Sequence, residues 1–393
     1  MGNMAFVGEA AQYRSNRYDH QHCTAHRQGP CLYSLGSALK KAFDTVDHSI
    51  LIEAFADCGL GGANLHWFRE YFNSRTQLIR VNGVSSRIAD MRYGVPQGSI
   101  LGPTLFLVYM NSLSNLCLNG SLQLYADDTC LIYFSNTPAI ARAAVEEDLN
   151  EISQWLKYYK LTLNTVKSEY MVISKKQEWN NLQINLNGAE LKRSTCVKYL
   201  GLYIDSQLTW KQHILQLCKK ISPAVGILGR ITKYLPLKYR KLLYFSVVHS
   251  HLFYLTLIWT RTSLYRLKPL QILQNRAIKR VFNLPLRHPT NLLYRPNGIL
   301  DINMLSTYQT CVFIHNCSHS NIHSSMQLIS FNQIHNYDTR NSGNFRTANI
   351  RTLTGQRSIL SDGLRHYNDL PLQIRSLPPC HFEIALKKHL LFA

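Results

Sequence analysis

Hydrophobic residues recur with helical spacing from Asp44 onward, where the run DTVDHSILIEAFADCGL places apolar side chains three and four positions apart. Glycines that follow this run end the predicted helix. Apolar spacing resumes over about residues 65–72 and predicts a second helix. Residues 1–37 are rich in Gly, His, Arg and Tyr and show neither helical nor strand periodicity. They are therefore predicted to form an irregular leader.

Alternating apolar residues predict two hairpins in the next part of the chain. The dipeptide Asn82-Gly83 separates two strand-like runs and favours a two-residue turn, because both positions tolerate positive φ. Further along, the apolar runs LQLY and TCLIYF predict a hairpin whose tip carries Asp127 and Asp128. Between the two hairpins, GVPQGSILGPTLF predicts a Gly/Pro-rich loop that leads into an apolar helix with Pro103 in its first turn.

The remaining pattern predicts mostly helices. A helix is expected over about residues 138–160, followed by a strand at EYMVIS and a short hairpin and helix at KYLGLYIDSQLTW. From His213 to about Leu284 the pattern is helical with frequent Lys and Arg, which predicts an all-helical second domain. The last hundred or so residues mix helices with the polar stretch NYDTRNSGNFRTANIRT, which is predicted to be a loop or an extended segment.

Composition indicates a globular protein with a large excess of positive charge. The 393 residues carry 43 Lys and Arg against 23 Asp and Glu, so the formal net charge is +20. Short clusters such as Lys219-Lys220 distribute this charge, which favours a nucleic acid or nucleotide partner over a merely solvated basic surface. No stretch reaches the roughly 18 apolar residues of a membrane span, and residues 1–37 lack a signal-peptide pattern. The sequence predicts an intracellular protein of the nucleus or cytoplasm, neither secreted nor bound to a membrane.

The adjacent carboxylates of Asp127 and Asp128 are the first candidates for chemistry. Neighbouring strand residues point to opposite faces, but a hairpin tip relaxes that limit. Magnesium takes hard oxygen ligands, commonly one or two carboxylates together with substrate phosphates. Asp-Asp pairs are also common on solvated surfaces, so the pair alone does not distinguish a metal site from an ordinary surface. The upstream loop changes this, because its glycines let the backbone approach a substrate and Gln97 is placed to contact a nucleotide or its template base.

A second group of residues has the right chemistry for zinc: Cys311, His315, Cys317, His319 and His323. Their spacing matches no zinc motif. The run TYQTCVFIHN is instead typical of an amphipathic helix whose cysteine lies in the core. The ten cysteines are scattered along the chain, which favours reduced and mostly buried thiols.

Five blocks occur in a fixed order along the chain: KKAFDTVDHSIL, GVPQGSILGPTLFLVYMNSL, LYADDTCLIY, LNTVKSEYMVIS and VKYLGLYIDSQLTW. Together they resemble the reverse transcriptases of non-LTR (LINE-type) retrotransposons over roughly residues 37–285. Two later blocks, HNYDTRNSGNF and SILSDGLRHYNDLPLQIR, resemble the C-terminal segment of related insect and invertebrate elements. The resemblance implies RNA-templated DNA synthesis by a right-hand polymerase of the α+β class. Its palm is an antiparallel sheet with helices, followed by a helical thumb and a mixed, mainly helical C-terminal segment.

The resemblance also implies roles for single residues. Asp127 and Asp128 would hold magnesium, of which the family uses two ions. Lys167 would protonate or neutralise the departing pyrophosphate, although a solvated lysine at a strand edge explains it equally well. Leu200 and Gly201 would belong to the primer grip, with an ordinary turn as the alternative.

The nucleotide pocket is implied in the same way. Phe43 falls at the aromatic position that crowds a ribose 2′-hydroxyl and favours deoxynucleotides. The pocket would be shaped by four residues of the Gly/Pro-rich loop, which are Gly94, Pro96, Gln97 and Gly98. The expected partners are an RNA template with a DNA primer, or an RNA–DNA hybrid, and deoxynucleotides.

One position departs from the family pattern. Members carry an aspartate in a pattern like LDLKKAFD, and this chain reads SALKKAFD, with Ala38 at that position. In a two-metal mechanism that aspartate bridges both ions, and a methyl group cannot ligate magnesium. Asp44 and Asp47 lie nearby, but a carboxylate at a helix start is readily explained by the helix dipole. The departure predicts an incomplete metal site and an impaired or inactive polymerase.

The leader adds a second departure, because the family's fingers precede the palm and residues 1–37 look unrelated to them. The sequence therefore predicts an N-terminally truncated polymerase whose first palm strand is lost or improvised. The palm is expected over residues 38–210 with the fingers largely missing, a thumb-like region over 211–290, and a C-terminal segment of unknown role over 291–393. Three interpretations stay open: an active RNA-directed DNA polymerase, a catalytically silent binder of RNA or DNA, and a non-functional relic of an element.

Overall fold

The computed structural model describes residues 31–36, 39–73, 75–164, 166–174, 176–186, 188–319, 328–334, 343–347, 350 and 352–392. The described chain divides into two compact units, one ending at Val197 and the other beginning at Lys198. The first unit combines helices with strands, whereas the second is mostly helical. The protein is therefore of the α+β class, as predicted.

The described part of the first unit contains the helices α1 (His48–Asp57), α2 (Gly62–Phe72), α3 (Gly102–Met110) and α4 (Pro138–Tyr158). Short 3₁₀ turns cover Ala42–Asp44, Asn111–Asn115 and Gln177–Asn181. These bounds confirm the helices predicted from apolar spacing. However, α1 begins at His48 and not at Asp44, because Asp44 lies in a 3₁₀ turn and Asp47 provides the helix cap.

The strands of the first unit are β1 (Cys31–Gly36), β2 (Thr76–Gln77), β3 (Arg80–Val81), β4 (Val84–Ser85), β5 (Ala89–Asp90), β6 (Ser121–Tyr125), β7 (Asp128–Phe134), β8 (Glu169–Ile173), β9 (Asn185–Leu186), β10 (Ala189–Glu190) and β11 (Lys192–Arg193). Five of them form a sheet in the order β11-β8-β1-β7-β6. Within it β1 is antiparallel to both neighbours, and β11 runs parallel to β8. Both predicted hairpins are confirmed, β3–β4 around Asn82-Gly83 and β6–β7 from the apolar runs LQLY and TCLIYF.

The position of β1 differs from the sequence prediction. Residues up to 37 were expected to be irregular and the first palm strand to be lost or improvised. Instead β1 fills the centre of the sheet, where Leu35 pairs with Cys130 of β7 and Glu169 of β8. The run CLYSLG has no clean alternation, and its strand depends on pairing with partners on both sides. The other predicted leader residues lie outside the described residues, and so does Ala38.

A single apolar core joins the helices of the first unit to its sheet. Its members come from α1, α3, α4, β7 and β8 and include Leu51, Phe106, Val145, Leu131 and Tyr170. All five are buried, with exposed fractions of 2% or less. Burying one such side chain stabilises a fold by about 1.5–3 kcal/mol. The core therefore fixes the sheet against α3 and α4. α3 follows the Gly/Pro-rich loop, and α4 follows the β6–β7 hairpin.

A buried carboxylate anchors the base of the β6–β7 hairpin. Asp148 of α4 accepts hydrogen bonds from the backbone N–H groups of Asn119 and Gly120 at 2.9 and 2.8 Å. It also accepts one from the hydroxyl of Tyr133 at 2.8 Å. Burial and the Asp148 carboxylate raise the pKa of Tyr133, so its hydroxyl keeps the proton that it donates. The start of β6 is thereby fixed to α4.

We expect Gly120→Ala to destabilise the first unit. A Cβ at Gly120 would lie 2.5 Å from the ring of Tyr133, which is 4% exposed and tied to Asp148. The expected loss is about 1–3 kcal/mol in the free energy of unfolding, measured by urea denaturation. Gly226→Ala is the matched control, since Gly226 is an exposed helical residue with no atom within 4 Å of an added Cβ. Equal losses in the two variants would contradict the expected clash.

The second unit begins with a hairpin and continues in helices. The hairpin pairs β12 (Cys196–Tyr199) with β13 (Leu202–Asp205). The helices are α5 (Lys211–Ile231), α6 (Leu237–Tyr244), α7 (Ser250–Phe253), α8 (Thr256–Trp259), α9 (Leu264–Val281), α10 (Asn291–Tyr294), α11 (Ile302–His319), α12 (Leu353–Gln356), α13 (Leu364–Asn368), α14 (Leu372–Arg375) and α15 (Pro379–Phe392). Phe245–His249 and Ile359–Gly363 are π-helical, and Arg295–Asn297 and Phe331–Gln333 are 3₁₀ turns. None of the described helices is long and apolar enough to cross a bilayer.

The C-terminal helices share an apolar core that includes the cysteine of the zinc-like stretch. Cys311 of α11 is fully buried with Leu364 of α13 and Phe382 of α15. Burial raises the pKa of the Cys311 thiol to about 12, which opposes the thiolate that a metal requires. His315 stacks on Phe382 with ring centres 3.7 Å apart. His323 and most of the stretch NYDTRNSGNFRTANIRT lie outside the described residues.

Candidate nucleotide and metal site

The two candidate metal ligands lie at the tip of the β6–β7 hairpin. Tyr125 pairs with Asp128, so Ala126 and Asp127 form the turn. Ala126 has a φ of +52°, which is uncommon for a residue with a Cβ. Both aspartates are partly exposed. The fold therefore presents two adjacent carboxylates at one end of the central sheet.

These carboxylates fit a magnesium ion in part. Two oxygen-bearing side chains are enough for an ion that also binds substrate phosphates and water. Across the ranges that the structure describes, no group of three or more His, Cys, Asp and Glu is placed to hold a metal. The sequence resemblance predicts a further ligand at the aspartate of the pattern LDLKKAFD. This chain has Ala38 there, and a methyl group offers no ligand atom. The incomplete two-ion site stays a prediction.

The loop that precedes α3 is held against the segment that precedes α1. The N–H of Gly94 donates to the carbonyl of Val46 at 2.7 Å, and the N–H of Val95 donates to the carbonyl of Phe43 at 2.8 Å. Gly94 has a φ of +88°, and a Cβ there would lie 3.0 Å from the backbone oxygen of Asp44. Only glycine fits this conformation and this close approach without strain.

Two side chains strengthen this attachment. The Nε2 atom of His48 lies 2.8 Å from the carbonyl oxygen of Gly94, and its ring stacks on Phe72. The Nε2 atom of Gln97 donates to Oδ1 of Asp44 at 2.7 Å. Sequence reasoning missed both contacts, because they join residues 46 and 53 positions apart. The sequence did contain a signal for these contacts, namely the polar residues of KKAFDTVDHSIL. His48 is one of them, and the predicted helix assigned it no role.

The structure brings the predicted nucleotide-binding residues together. Phe43 is half-buried and stacks on Phe106 of α3, with ring centres 4.4 Å apart. Pro96 is half-buried in the attached loop, whereas Gln97 and Gly98 are exposed to solvent. Phe43 and the hairpin turn residue Ala126 both pack at the margin of the same apolar core. The arrangement offers an aromatic wall, a glycine-rich backbone and an exposed amide on one unit of the protein.

Asp47 serves the helix, as the sequence predicted. The residue is 4% exposed, and its carboxylate accepts hydrogen bonds from the N–H groups of Ser49 at 2.9 Å and Ile50 at 3.2 Å. Lys160 also contacts it, with Nζ 2.6 Å from Oδ2. Burial alone would raise the pKa of Asp47, but these hydrogen bonds outweigh it and hold the pKa below its usual value. The ion pair with Lys160 was not predicted.

The remaining site predictions fall in turns. Lys167 is exposed just before β8, where its N–H donates to the carbonyl of Asn164 at 3.0 Å. Leu200 and Gly201 join β12 to β13 with φ values of +45° and +81°. Positive φ at both positions is typical of a type I′ turn, and it is uncommon for leucine. The carbonyl of Leu200 accepts a hydrogen bond from the hydroxyl of Tyr254 at 2.7 Å. The catalytic and primer-grip roles stay predictions.

Comparison with known proteins identifies the class. The model of the family "Reverse transcriptase (RNA-dependent DNA polymerase)" matches residues 3–204, so the match extends into the predicted leader. The chain is 26% identical over 266 residues to the RNA-directed DNA polymerase from mobile element jockey of Drosophila melanogaster, covering 64% of this chain and 29% of that protein. It is 28% identical over 260 residues to the probable RNA-directed DNA polymerase from transposon BS of the same organism, covering 63% and 28%.

This chain belongs to the reverse transcriptase family. Its similarity to these relatives identifies it as a reverse transcriptase domain protein of a non-LTR, LINE-type retrotransposon. This confirms the resemblance seen in the sequence. The chain spans less than a third of the length of the curated relatives named above. A telomerase structure from Candida albicans, in complex with the TWJ fragment of telomeric RNA, matches 72% of this chain and 53% of that one, with a TM-score of 0.33 and 10% identity.

Proposed function

We propose that this chain binds an RNA template paired with a DNA primer and holds a deoxynucleotide near Asp127 and Asp128. The observation that carries the proposal is the charge pattern of the second unit. Between residues 206 and 300 the sequence contains no Asp or Glu, while Lys and Arg recur throughout. A segment with only positive formal charges attracts a phosphate backbone along its whole length.

The positive charges of this acid-free segment, residues 206–300, reach the surface of two packed helices. The exposed basic residues include Lys219, Lys220 and Arg230 on α5 and Lys268, Arg276 and Arg280 on α9. The ion pairs that join described residues include none of these six. Tyr234 and Tyr265 of the same segment are 82% and 84% exposed. Basic side chains with exposed aromatic rings suit phosphate contacts combined with stacking on bases or sugars.

On this proposal the first unit is the palm and the acid-free helices are the thumb. Phe43 and the loop from Gly94 to Gly98 receive the nucleotide, Lys167 faces its departing pyrophosphate, and the turn at Leu200 and Gly201 contacts the primer. Magnesium, when bound, would be held by Asp127 and Asp128 and would stabilise developing charge on phosphate oxygens. No contact is proposed for residues 301–392 of the second unit.

Chemistry is proposed to be much weaker than binding in this chain. The acid-free helices and the loop from Gly94 to Gly98 lie within the described residues and support binding, whereas Ala38 offers no metal ligand. A catalytically silent binder is thus the second candidate, favoured by that single substitution. A non-functional relic is the least supported, because both units have buried apolar cores.

Binding of a labelled RNA–DNA hybrid at several salt concentrations tests the proposal. With about four phosphate contacts, we expect affinity to fall about a hundredfold between 50 and 200 mM salt. Fluorescence anisotropy gives the affinity at each concentration. A flat response, or no binding at the lowest salt, would show that the acid-free segment does not hold nucleic acid.

A further inference from the structure

The contact between Asp44 and Gln97 lies on the surface of the nucleotide loop. Asp44 follows Phe43 at the end of the 3₁₀ turn, and Gln97 follows Pro96 in the loop. Both residues are exposed, yet Nε2 of Gln97 lies 2.7 Å from Oδ1 of Asp44. Backbone hydrogen bonds of Gly94 and Val95 hold the two segments together beneath this pair.

The chemistry of Asp44 fixes the orientation of the Gln97 amide. An ionised carboxylate only accepts hydrogen bonds, so the group that faces it must be the NH₂ of the amide. The Oε1 atom of Gln97 is then directed away from Asp44. An amide with a charged partner at this distance makes a hydrogen bond stronger than one between neutral groups. Gln97 therefore keeps Oε1 as an acceptor for whatever occupies the loop, beside the second N–H of its amide.

We propose that Asp44 is a positioning residue that orients Gln97, so that Oε1 of Gln97 accepts a hydrogen bond from the bound nucleotide. The donor is either a sugar hydroxyl or an exocyclic amino group of the base. This inference rests on the proposed function, because it presumes that a nucleotide occupies the loop. Asp44 acts through Gln97 and is assigned no contact with the reacting atoms.

A purely structural role for Asp44 fits the geometry less well. The two segments are already joined by the hydrogen bonds of Gly94 with Val46 and of Val95 with Phe43, and by His48. Exposed polar pairs contribute little to stability, about 0–1 kcal/mol. This exposed pair lies next to Phe43 in the chain and in the loop attached to it, and its effect on the amide explains it better than a contribution to stability.

Nucleotide binding to a complex that cannot react tests the proposal. The protein is bound to an RNA template and a DNA primer that ends in a dideoxynucleotide. Nucleotide affinity is then measured from the concentration of nucleotide that makes this complex resistant to dissociation by salt. Two comparisons identify the donor: a deoxynucleotide against its 3′-deoxy analogue, and a purine deoxynucleotide with and without its exocyclic amino group. We expect wild type to prefer the nucleotide with the donor by about fivefold to tenfold in one of these comparisons.

Asp44→Asn is the informative variant, because an asparagine amide can donate or accept and leaves Gln97 free to turn over. We expect its preference to fall to within about twofold. The preference should fall equally in Gln97→Ala, and the double variant should lose nothing further. Asp57→Asn removes the same charge from an exposed position at the end of α1 and should keep the wild-type preference.

The outcomes separate the inference from the proposed function. If wild type binds nucleotides with a preference that Asp44→Asn retains, the positioning role is wrong and the proposed function stands. If wild type shows affinity but no preference in either comparison, the inference fails in the same way. If the complex binds no nucleotide at all, the proposed function is overturned and this inference with it.

Discussion

Replacing Lys268 and Arg276 by glutamate is expected to weaken binding of an RNA–DNA hybrid by at least about a hundredfold at 0.1 M salt. Both residues are exposed on α9, two helical turns apart, so they lie on one face of the helix. On the proposed function, each reversal would remove one phosphate contact and add repulsion from the nucleic-acid backbone. The slope of log affinity against log salt should become shallower by about 2, because two fewer counterions are displaced. Anisotropy titrations at several salt concentrations measure both quantities.

The matched control reverses two lysines outside the acid-free segment. Lys157 lies on α4 and Lys388 on α15, and both are exposed. The two double variants have the same net charge, so only position differs between them. We expect the control to lose less than about tenfold in affinity and to keep the wild-type slope. Equal losses in both variants would mean that net charge, and not the acid-free segment, drives binding.

The second unit is expected to lose stability steeply between pH 6.5 and pH 4. Burial and the nearby Lys220 lower the pKa of His213 to about 4, and burial with Lys387 lowers that of His249 to about 4. Burial and the adjacent His319 lower the pKa of His315 to about 4 as well. All three imidazoles are therefore neutral in the folded protein at pH values where they are charged in the unfolded chain.

The sign of this effect follows from proton counting. Between pH 6.5 and pH 4 the unfolded chain binds more protons than the folded protein, so acid favours unfolding in this window and has no such effect above it. His213 and His315 are 3% and 0% exposed, and each should contribute a loss of about 1–3 kcal/mol. Urea unfolding followed by circular dichroism at pH 7.5 and pH 5 measures the change in midpoint.

Glutamine variants test the assignment to particular histidines. His315→Gln removes a titrating group and should reduce the difference in midpoint between the two pH values. His381→Gln replaces an exposed histidine of α15 and should leave that difference unchanged. A wild-type midpoint that is the same at pH 7.5 and pH 5 would rule out buried neutral histidines as the cause of acid sensitivity.

Local signals in the sequence were enough to predict most elements of the fold. Asn82-Gly83 predicts its own hairpin because both residues take positive φ, as the structure shows at +48° and +83°. α4 is predicted by its apolar spacing, which the buried side chains of Val145 and Leu149 confirm. β1 was not predictable in this way, because its hydrogen bonds come from β7 and β8, which lie about 100 and about 140 residues further along the chain.

The candidate site also has parts that local sequence predicts and parts that depend on distant residues. The hairpin with Asp127 and the loop with Gly94 are contiguous in sequence, so motif and turn chemistry predict them. The contact of Asp44 with Gln97 and the ion pair of Asp47 with Lys160 join distant positions, and their residue types are common on any surface. Only the folded chain shows which of the many exposed carboxylates meets a partner.

Extension of a DNA primer on an RNA template, in the presence of magnesium and deoxynucleotides, tests whether Asp127 and the residue at position 38 act together as metal ligands. The variant Ala38→Asp restores the carboxylate that the family pattern has at this position. We expect it to extend the primer at least about a hundred times faster than wild type, since a metal ligand stabilises the transition state by several kcal/mol. Adding Asp127→Asn should abolish that gain. Wild-type extension as fast as that of Ala38→Asp, or extension that survives Asp127→Asn, would contradict the assigned site.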